Sequence, residues 1–300
     1  MQSFDAIVIG GSYAGLSAAM QLARARRQVC VVDAGRPRNR FASASHGFFG
    51  QDGAEPAAMI ARARRQLLAY PTVTFIEGTA SAARRDGARF VVSLESGREL
   101  AAARLVLADG VEDELPDLPG LAERWGDSVL HCPYCHGYEF GGRRLGVLHS
   151  VPGSLHQALL ISDWGPTTYF LNGAEMPGAD DVRKLNARGI RLEPEPVVAL
   201  EGDVPALAGV RLAGGRCIAL DALFIAPATR PRPLASQLGC EFDEGPTGPY
   251  IRTDDVGLTS VPGVYAAGDA ALAANATLAC AAGVMAGAAA HQSLVFADLA

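Results

Sequence analysis

Cys132 and Cys135 stand three positions apart in the run His131-Cys132-Pro133-Tyr134-Cys135-His136-Gly137-Tyr138-Glu139. Two thiols at that spacing close into a small disulfide ring, and they can divide the labour of exchange. One attacks a substrate sulfur while the other resolves the mixed disulfide. The reactive species is the thiolate, so the chemistry asks for a base or a positive neighbour. A histidine side chain ordinarily titrates near neutrality, which makes His136 the first candidate acid–base group and His131 a second. Three other chemistries share the pattern. Cys-x-x-Cys-His is also an attachment signature for c-type haem, a chemistry that goes with export. A structural zinc needs four ligands; no second cysteine pair accompanies this one, and His149 and His156 are scattered. Two buried cysteines at a chance spacing form the inert alternative. Cys30, Cys217, Cys240 and Cys280 are isolated and read as inert.

A second candidate site lies at the start of the chain. Ala6–Ile9 is a short apolar run, Gly10-Gly11-Ser12-Tyr13-Ala14-Gly15 supplies a turn, and residues 16–25 have helical character. Val29–Val32 is a β-branched run that ends at Asp33. A GxGxxG fingerprint places glycines where the turn is tight, where backbone approaches pyrophosphate and where helix packs on strand. The pyrophosphate then faces the positive end of the helix. Here the three positions are Gly10, Ser12 and Gly15, so a serine stands where the phosphate approach is closest. Asp33 is the acid expected to meet ribose hydroxyls.

Composition narrows the field. The chain has 300 residues, 49% apolar and 19% charged, with a net charge of −6, which argues against a nucleic-acid binder. Lys184 is the only lysine, a bias read as genomic. The length suggests two domains of about 150 residues. Six cysteines are too few for a disulfide scaffold. The N-terminus enters a strand at once, without the basic region and cleavage site of a signal peptide, so a reducing, cytoplasmic setting is expected. Residues 270–290 carry no charge and are long enough to span a bilayer. They are mostly alanine and glycine, with Asn275 and Thr277 inside, which points instead to a helix packed within a globular protein.

The elements needed to hold these sites follow an α/β pattern. Further strands are expected at Phe90–Leu94 and Leu105–Leu107. A second cycle runs strand Leu145–Leu148, helix from about Ser154 to Ser162, and strand Thr168–Leu171, followed by strands near Val210 and at Leu223–Ile225. Val264–Ala267 is a last strand before the alanine-rich helix. Pro116 and Pro119, then Pro227, Pro231 and Pro233, mark two crossings. The expected fold is therefore two Rossmann-like, three-layer dinucleotide-binding domains. Residues 1–116 and 243–300 form one, and 117–242 form the other, inserted in the first and carrying the CxxC.

The run Thr259-Ser260-Val261-Pro262-Gly263-Val264-Tyr265-Ala266-Ala267-Gly268-Asp269 resembles the second FAD motif of the flavoprotein disulfide reductases. With the CxxC in the inserted domain, the whole chain resembles low-molecular-weight thioredoxin reductase. The resemblance implies FAD as cofactor and a homodimer. It implies Cys132 as interchange thiol, Cys135 as the thiol facing the flavin, and His136 in the place of the family's usual aspartate. It also implies cofactor contacts at Gly10, Gly11, Ser12, Tyr13, Ala14, Gly15, Asp33, Ala34, Arg40, His46, Ala108, Asp109, Gly110, Gly268, Asp269, Thr277 and Leu278. Asp109 replaces a usual threonine, and Thr277 stands where reductases often have glutamine.

The second nucleotide turn departs from that family. It reads His149-Ser150-Val151-Pro152-Gly153-Ser154, with side chains where backbone should meet pyrophosphate. After the next strand, Leu171–Glu175 offers no arginine pair for a 2′-phosphate, so loss of NADPH use is expected. An intact CxxC followed by His-Gly-Tyr-Glu, together with the segment Pro37-Arg38-Asn39-Arg40 and His46–Gly53, is similar to the dithiol oxidases of gliotoxin- and holomycin-type natural products. That branch implies a small-molecule or peptide dithiol as partner and dioxygen as final acceptor. Two alternatives stand beside it: a thioredoxin reductase-like enzyme acting on a thioredoxin-like protein with NADPH, ferredoxin or another donor, and a flavin-binding redox sensor without turnover. No metal, nucleic acid or membrane partner is expected.

Overall fold

The computed structural model describes residues 1–272 and 275–297. The chain divides into two compact units, one of residues 1–40, 55–112 and 230–300, the other of residues 41–54 and 113–229. The first opens with β1 (Gln2–Ile9), α1 (Tyr13–Arg24) and β2 (Val29–Asp33), the βαβ start that the glycine turn implies. It continues through α2 (Pro56–Leu68), β3 (Val73–Glu77), β4 (Ala80–Asp86), β5 (Arg89–Leu94) and β6 (Glu99–Leu107). Strands β3, β2, β1 and β6 lie side by side in that order and run parallel, and β5 and β4 extend the sheet antiparallel beyond β6. Ala6, Ile7, Val8 and Val29–Val32 are buried, as parallel strands covered on both faces require.

The second unit carries β7 (Val129–Leu130), the short α3 (Pro133–His136), β8 (Leu145–Leu148), α4 (Ser154–Ile161), β9 (Thr167–Phe170), α5 (Ala179–Ala187) and β10 (Arg191–Glu193). A three-stranded antiparallel sheet, β11 (Val197–Glu201), β12 (Gly209–Leu212) and β13 (Cys217–Ala219), precedes β14 (Ala222–Ile225). The main sheet has the order β10-β9-β8-β14-β7, all parallel. Each unit is thus a layered α/β body whose longer helices pack on one face of its main sheet, the α/β class expected from the sequence.

The chain re-enters the first unit at Arg230; there β15 (Val264–Ala266) pairs parallel with the second half of β6 and leads to α6 (Ala276–Phe296). Helix α6 is the alanine-rich segment, and it lies on α1. An added Cβ at Gly283 would come within 2.1 Å of the Ala14 carbonyl oxygen, and one at Gly287 within 2.5 Å of the Ala18 oxygen. Only a residue without a side chain permits that approach. The expectation of an enclosed helix needs correcting on one point. Ala279, Ala286 and Ala290 are buried, but Leu278, Val284, Met285, Val295 and Phe296 on the remaining surface are exposed.

A candidate flavin cleft and a redox-active dithiol

Register brings the first-unit motifs to one edge. Ile9 pairs with Leu107, and Leu107 with Ala266, so Gly10, Ala108 and Ala267-Gly268 leave the sheet side by side at its carboxyl end. That edge is where doubly wound sheets bind dinucleotides. Gly10 has φ +104°, and a Cβ there would sit 2.1 Å from the Ala108 carbonyl oxygen; one at Gly15 would sit 1.8 Å from the Gly10 oxygen. Ser12 is extended and its hydroxyl makes no capping bond, so it leaves the first-turn amides of α1 facing the cleft. Asp33 Oδ1 accepts the Gly11 amide at 2.9 Å, which fixes the carboxylate at the end of β2. Ala34 and Arg40 are exposed beyond it, and the Arg40 guanidinium donates to the Pro37 carbonyl.

Three side chains that sequence reading left without a role organise this cleft. Arg38 Nη1 lies 3.1 Å from Asp269 Oδ2, and Asn39 Nδ2 donates to the Tyr13 hydroxyl at 3.1 Å. The segment from Pro37 to Arg40 therefore touches both the glycine turn and the Gly-Asp motif. Arg232 donates to the Asp109 carbonyl oxygen at 3.1 Å and pairs with Glu112 at 3.1 Å, bracing the Ala108–Gly110 segment. The Asp109 carboxyl is pushed up to about 6, chiefly by burial and against the pull of its own backbone amide and Arg232. Asn275 caps α6 by accepting the Leu278 amide at 2.9 Å; Thr277 and Leu278 are exposed in that first turn. A glycine cradle at a helix N-terminus, a fixed acid and a Gly-Asp turn on one edge fit an adenine dinucleotide.

The dithiol belongs to the second unit. Strand β7 ends at Leu130, and Cys132 follows as the cap of α3, where Cys135 joins it in a disulfide with Cα atoms 5.3 Å apart. The Cys135 amide donates to Cys132 Sγ at 3.2 Å, a contact that favours thiolate once the bond is reduced. Gln157 of α4 donates to the His131 carbonyl at 2.8 Å, and His131 stacks on Trp125. Tyr134 is exposed, its ring edge-on to Trp164. His136 is half-buried, and its proton affinity is lowered by burial first, raised by Glu139, lowered by His46 and raised by Asp127. His46, a cofactor candidate by resemblance, has its ring between Glu139 and Asp52.

The altered turn after β8 is filled from within. The fully buried Ser154 hydroxyl accepts the amides of Ser150 at 3.0 Å and Val151 at 3.2 Å. Ser150 Oγ donates to the Ala226 carbonyl, and His149 Nδ1 lies 2.6 Å from the Tyr169 hydroxyl. Amides that would otherwise point at a pyrophosphate are already satisfied by the chain itself. Among the described residues no cluster of three or more His, Cys, Asp or Glu is placed to hold a metal ion.

Comparison with known proteins gives the same reading from outside. The family model for pyridine nucleotide-disulphide oxidoreductases matches residues 4–148 and 180–292. Thioredoxin reductase tcpT of Claviceps purpurea is 36% identical over 88% of this chain and 86% of its own. Among solved structures, an oxidoreductase from Agrobacterium tumefaciens superposes with a TM-score of 0.93 at 50% identity, over 99% of both chains. HlmI superposes equally well at 40% identity, over 99% of this chain and 94% of its own. The chain belongs to the pyridine nucleotide-disulphide oxidoreductase family, as a thioredoxin reductase-like, FAD-dependent enzyme that acts on sulfur groups.

Proposed function

We propose that the enzyme is a dithiol oxidase that closes a disulfide in a small-molecule or peptide dithiol. The observation that carries this reading is the Ser154 hydroxyl seated on the Ser150 and Val151 amides. An intact Cys132–Cys135 pair beside a self-filled nucleotide turn must take its electrons from the substrate. FAD would be held by Gly10–Gly15, Asp33, Ala34, Arg40, Ala108–Gly110, Gly268, Asp269, Thr277 and Leu278. When bound, it supplies the two-electron acceptor that returns the dithiol to disulfide, with dioxygen as terminal oxidant and peroxide as product.

The protein's own part is thiol exchange. A substrate thiolate attacks Cys132 Sγ, the Cys132–Cys135 bond breaks, and Cys135 leaves as thiolate. The second substrate thiol gives its proton to neutral His136 and attacks the substrate sulfur of the mixed disulfide. That bond breaks, Cys132 leaves as thiolate beside the Cys135 amide, and the substrate departs as disulfide. Burial keeps His136 neutral further into the acid range than an exposed histidine, which suits it to accept that proton. The exposed apolar surface of α6 supports a homodimer as the working form, and a cytoplasmic setting fits a dithiol that must be cycled.

Anaerobic addition of a small dithiol should bleach the oxidised flavin absorbance, and air should restore it. NADPH alone should leave it unchanged. Cys132→Ser and Cys135→Ser should each abolish bleaching by the dithiol. Rapid bleaching by NADPH would transfer the assignment to a thioredoxin reductase, and no response to any dithiol would favour a redox sensor.

A further inference from the structure

The segment that leads into Cys132 is held from three sides. Leu130 at the end of β7 pairs with Phe224 of β14, and the His131 ring stacks on Trp125 with centroids 5.9 Å apart. The third support is Gln157 of α4, whose Nε2 donates to the His131 carbonyl oxygen at 2.8 Å. That carbonyl shares one planar peptide group with the Cys132 nitrogen, so the bond fixes the plane from which Cys132 starts. Cys132 is then extended, caps α3, and has its Sγ on the Cys135 amide at 3.2 Å.

Gln157 supplies this bond at a cost to the fold. It is only 8% exposed, and among the described residues no donor reaches its Oε1. Donation to the His131 carbonyl fixes which end of the amide is the nitrogen, so the unmet atom is the oxygen. Ala158 and Ile161 are its buried neighbours on α4. An apolar side chain of similar length would fill the same space without an orphaned acceptor. We propose that Gln157 is a positioning residue for Cys132, acting through the His131–Cys132 peptide to keep the sulfur on the Cys135 amide once the disulfide opens. The amide contact favours the thiolate, and a stabilised thiolate makes the disulfide a readier acceptor of substrate electrons. In the exchange above Cys132 leaves the mixed disulfide as thiolate, and that is the step Gln157 eases. The role of Cys132 as the thiol that meets substrate rests on the dithiol-oxidase reading; the attachment of its peptide to α4 does not.

Gln157→Met, made in the FAD-loaded protein, removes the donor and the unmet oxygen together. In a Cys135→Ser background, which keeps the amide at position 135, Cys132 is alkylated by iodoacetamide across a range of pH. Loss of Gln157 should raise the midpoint of that profile by roughly half a pH unit. Cys217, exposed on β13, is followed in the same digests and should alkylate alike in both proteins. In the chain with both thiols, anaerobic equilibration with dithiothreitol should find the Cys132–Cys135 disulfide roughly threefold harder to reduce. The melting temperature should stay close to that of the parent, because a donor and an unmet acceptor leave together. A lower melting temperature with an unmoved midpoint and redox equilibrium would make Gln157 structural and overturn the proposal, as would a midpoint that falls. Gln157→Leu repeats the readings where Gln157→Met does not fold, and failure of both to fold would equally assign a structural role. The expected shifts in a protein that never oxidises a dithiol would sink the oxidase reading and leave Gln157 in its role. Dithiol turnover by the parent with an unmoved midpoint in Gln157→Met would do the reverse.

Discussion

Arg38 and Asp269, 231 residues apart in sequence, meet at 3.1 Å with both side chains about three-quarters covered. The pair ties the segment after β2 to the Gly-Asp motif on the same sheet edge. A half-buried, hydrogen-bonded charge pair is worth about 1 kcal/mol or somewhat more. Arg38→Ala should therefore weaken FAD binding roughly tenfold, read by fluorescence titration of the stripped protein, with Arg38→Lys between the two. Equal affinity in all three proteins would remove Arg38 from the cofactor site.

Asp109 makes a pH-dependent contribution. Its folded value of about 6 lies above the ordinary 3.8, so the folded protein holds this proton more tightly than the unfolded chain. The stability it lends is present below about pH 4 and lost as pH rises toward 6. A rise of about two pH units corresponds to a cost above pH 6 of about 2–3 kcal/mol. Asp109→Asn should raise the melting temperature at pH 8 and leave it nearly unchanged at pH 4.

Ser154 is tested by removing one oxygen. Ser154→Ala deprives the Ser150 and Val151 amides of their acceptor, and unsatisfied buried donors cost about 1–3 kcal/mol. Thermal unfolding should shift down by several degrees. NADPH should still fail to reduce the flavin, because His149 and Val151 keep their side chains in the turn. A stable, NADPH-active Ser154→Ala enzyme would mean that the hydroxyl had been the only obstacle.

Gly283 sets how closely α6 lies on α1. Gly283→Ala puts a methyl 2.1 Å from the Ala14 oxygen, against backbone that cannot turn aside. The helices must separate, at about 1–3 kcal/mol, and Ala14 belongs to the glycine turn. Lower FAD occupancy should accompany the lower melting temperature in the purified variant. A variant of unchanged stability would show that the two helices have slack.

The parallel strands were legible because their buried residues form unbroken apolar runs. Val29–Val32, Leu145–Leu148 and Leu223–Ile225 each lie within an observed strand. Helix α2 escaped notice: its exposed arginines dilute the apolar signal, and only Pro56 and Leu67 are buried. Arg232 carried no motif, and the motif segments that hold Arg38, His46 and Glu139 do not name the protein side chains these residues meet. A charged side chain at a loop position is compatible with solvent until the fold supplies a partner.

The sequence by itself put forward the candidate chemistry, because two thiols three residues apart, a neighbouring histidine and glycines at a strand-to-helix turn are local facts. It also held the departure at residues 149–154, since side chains in place of glycines can be read without coordinates. The tertiary structure decided what occupies that turn, what holds Asp269 and which charges surround His136. Hydrogen bonds and ion pairs act over about 3 Å, and only folding brings Ser154, Arg38 and His46 to within that reach of the groups they govern.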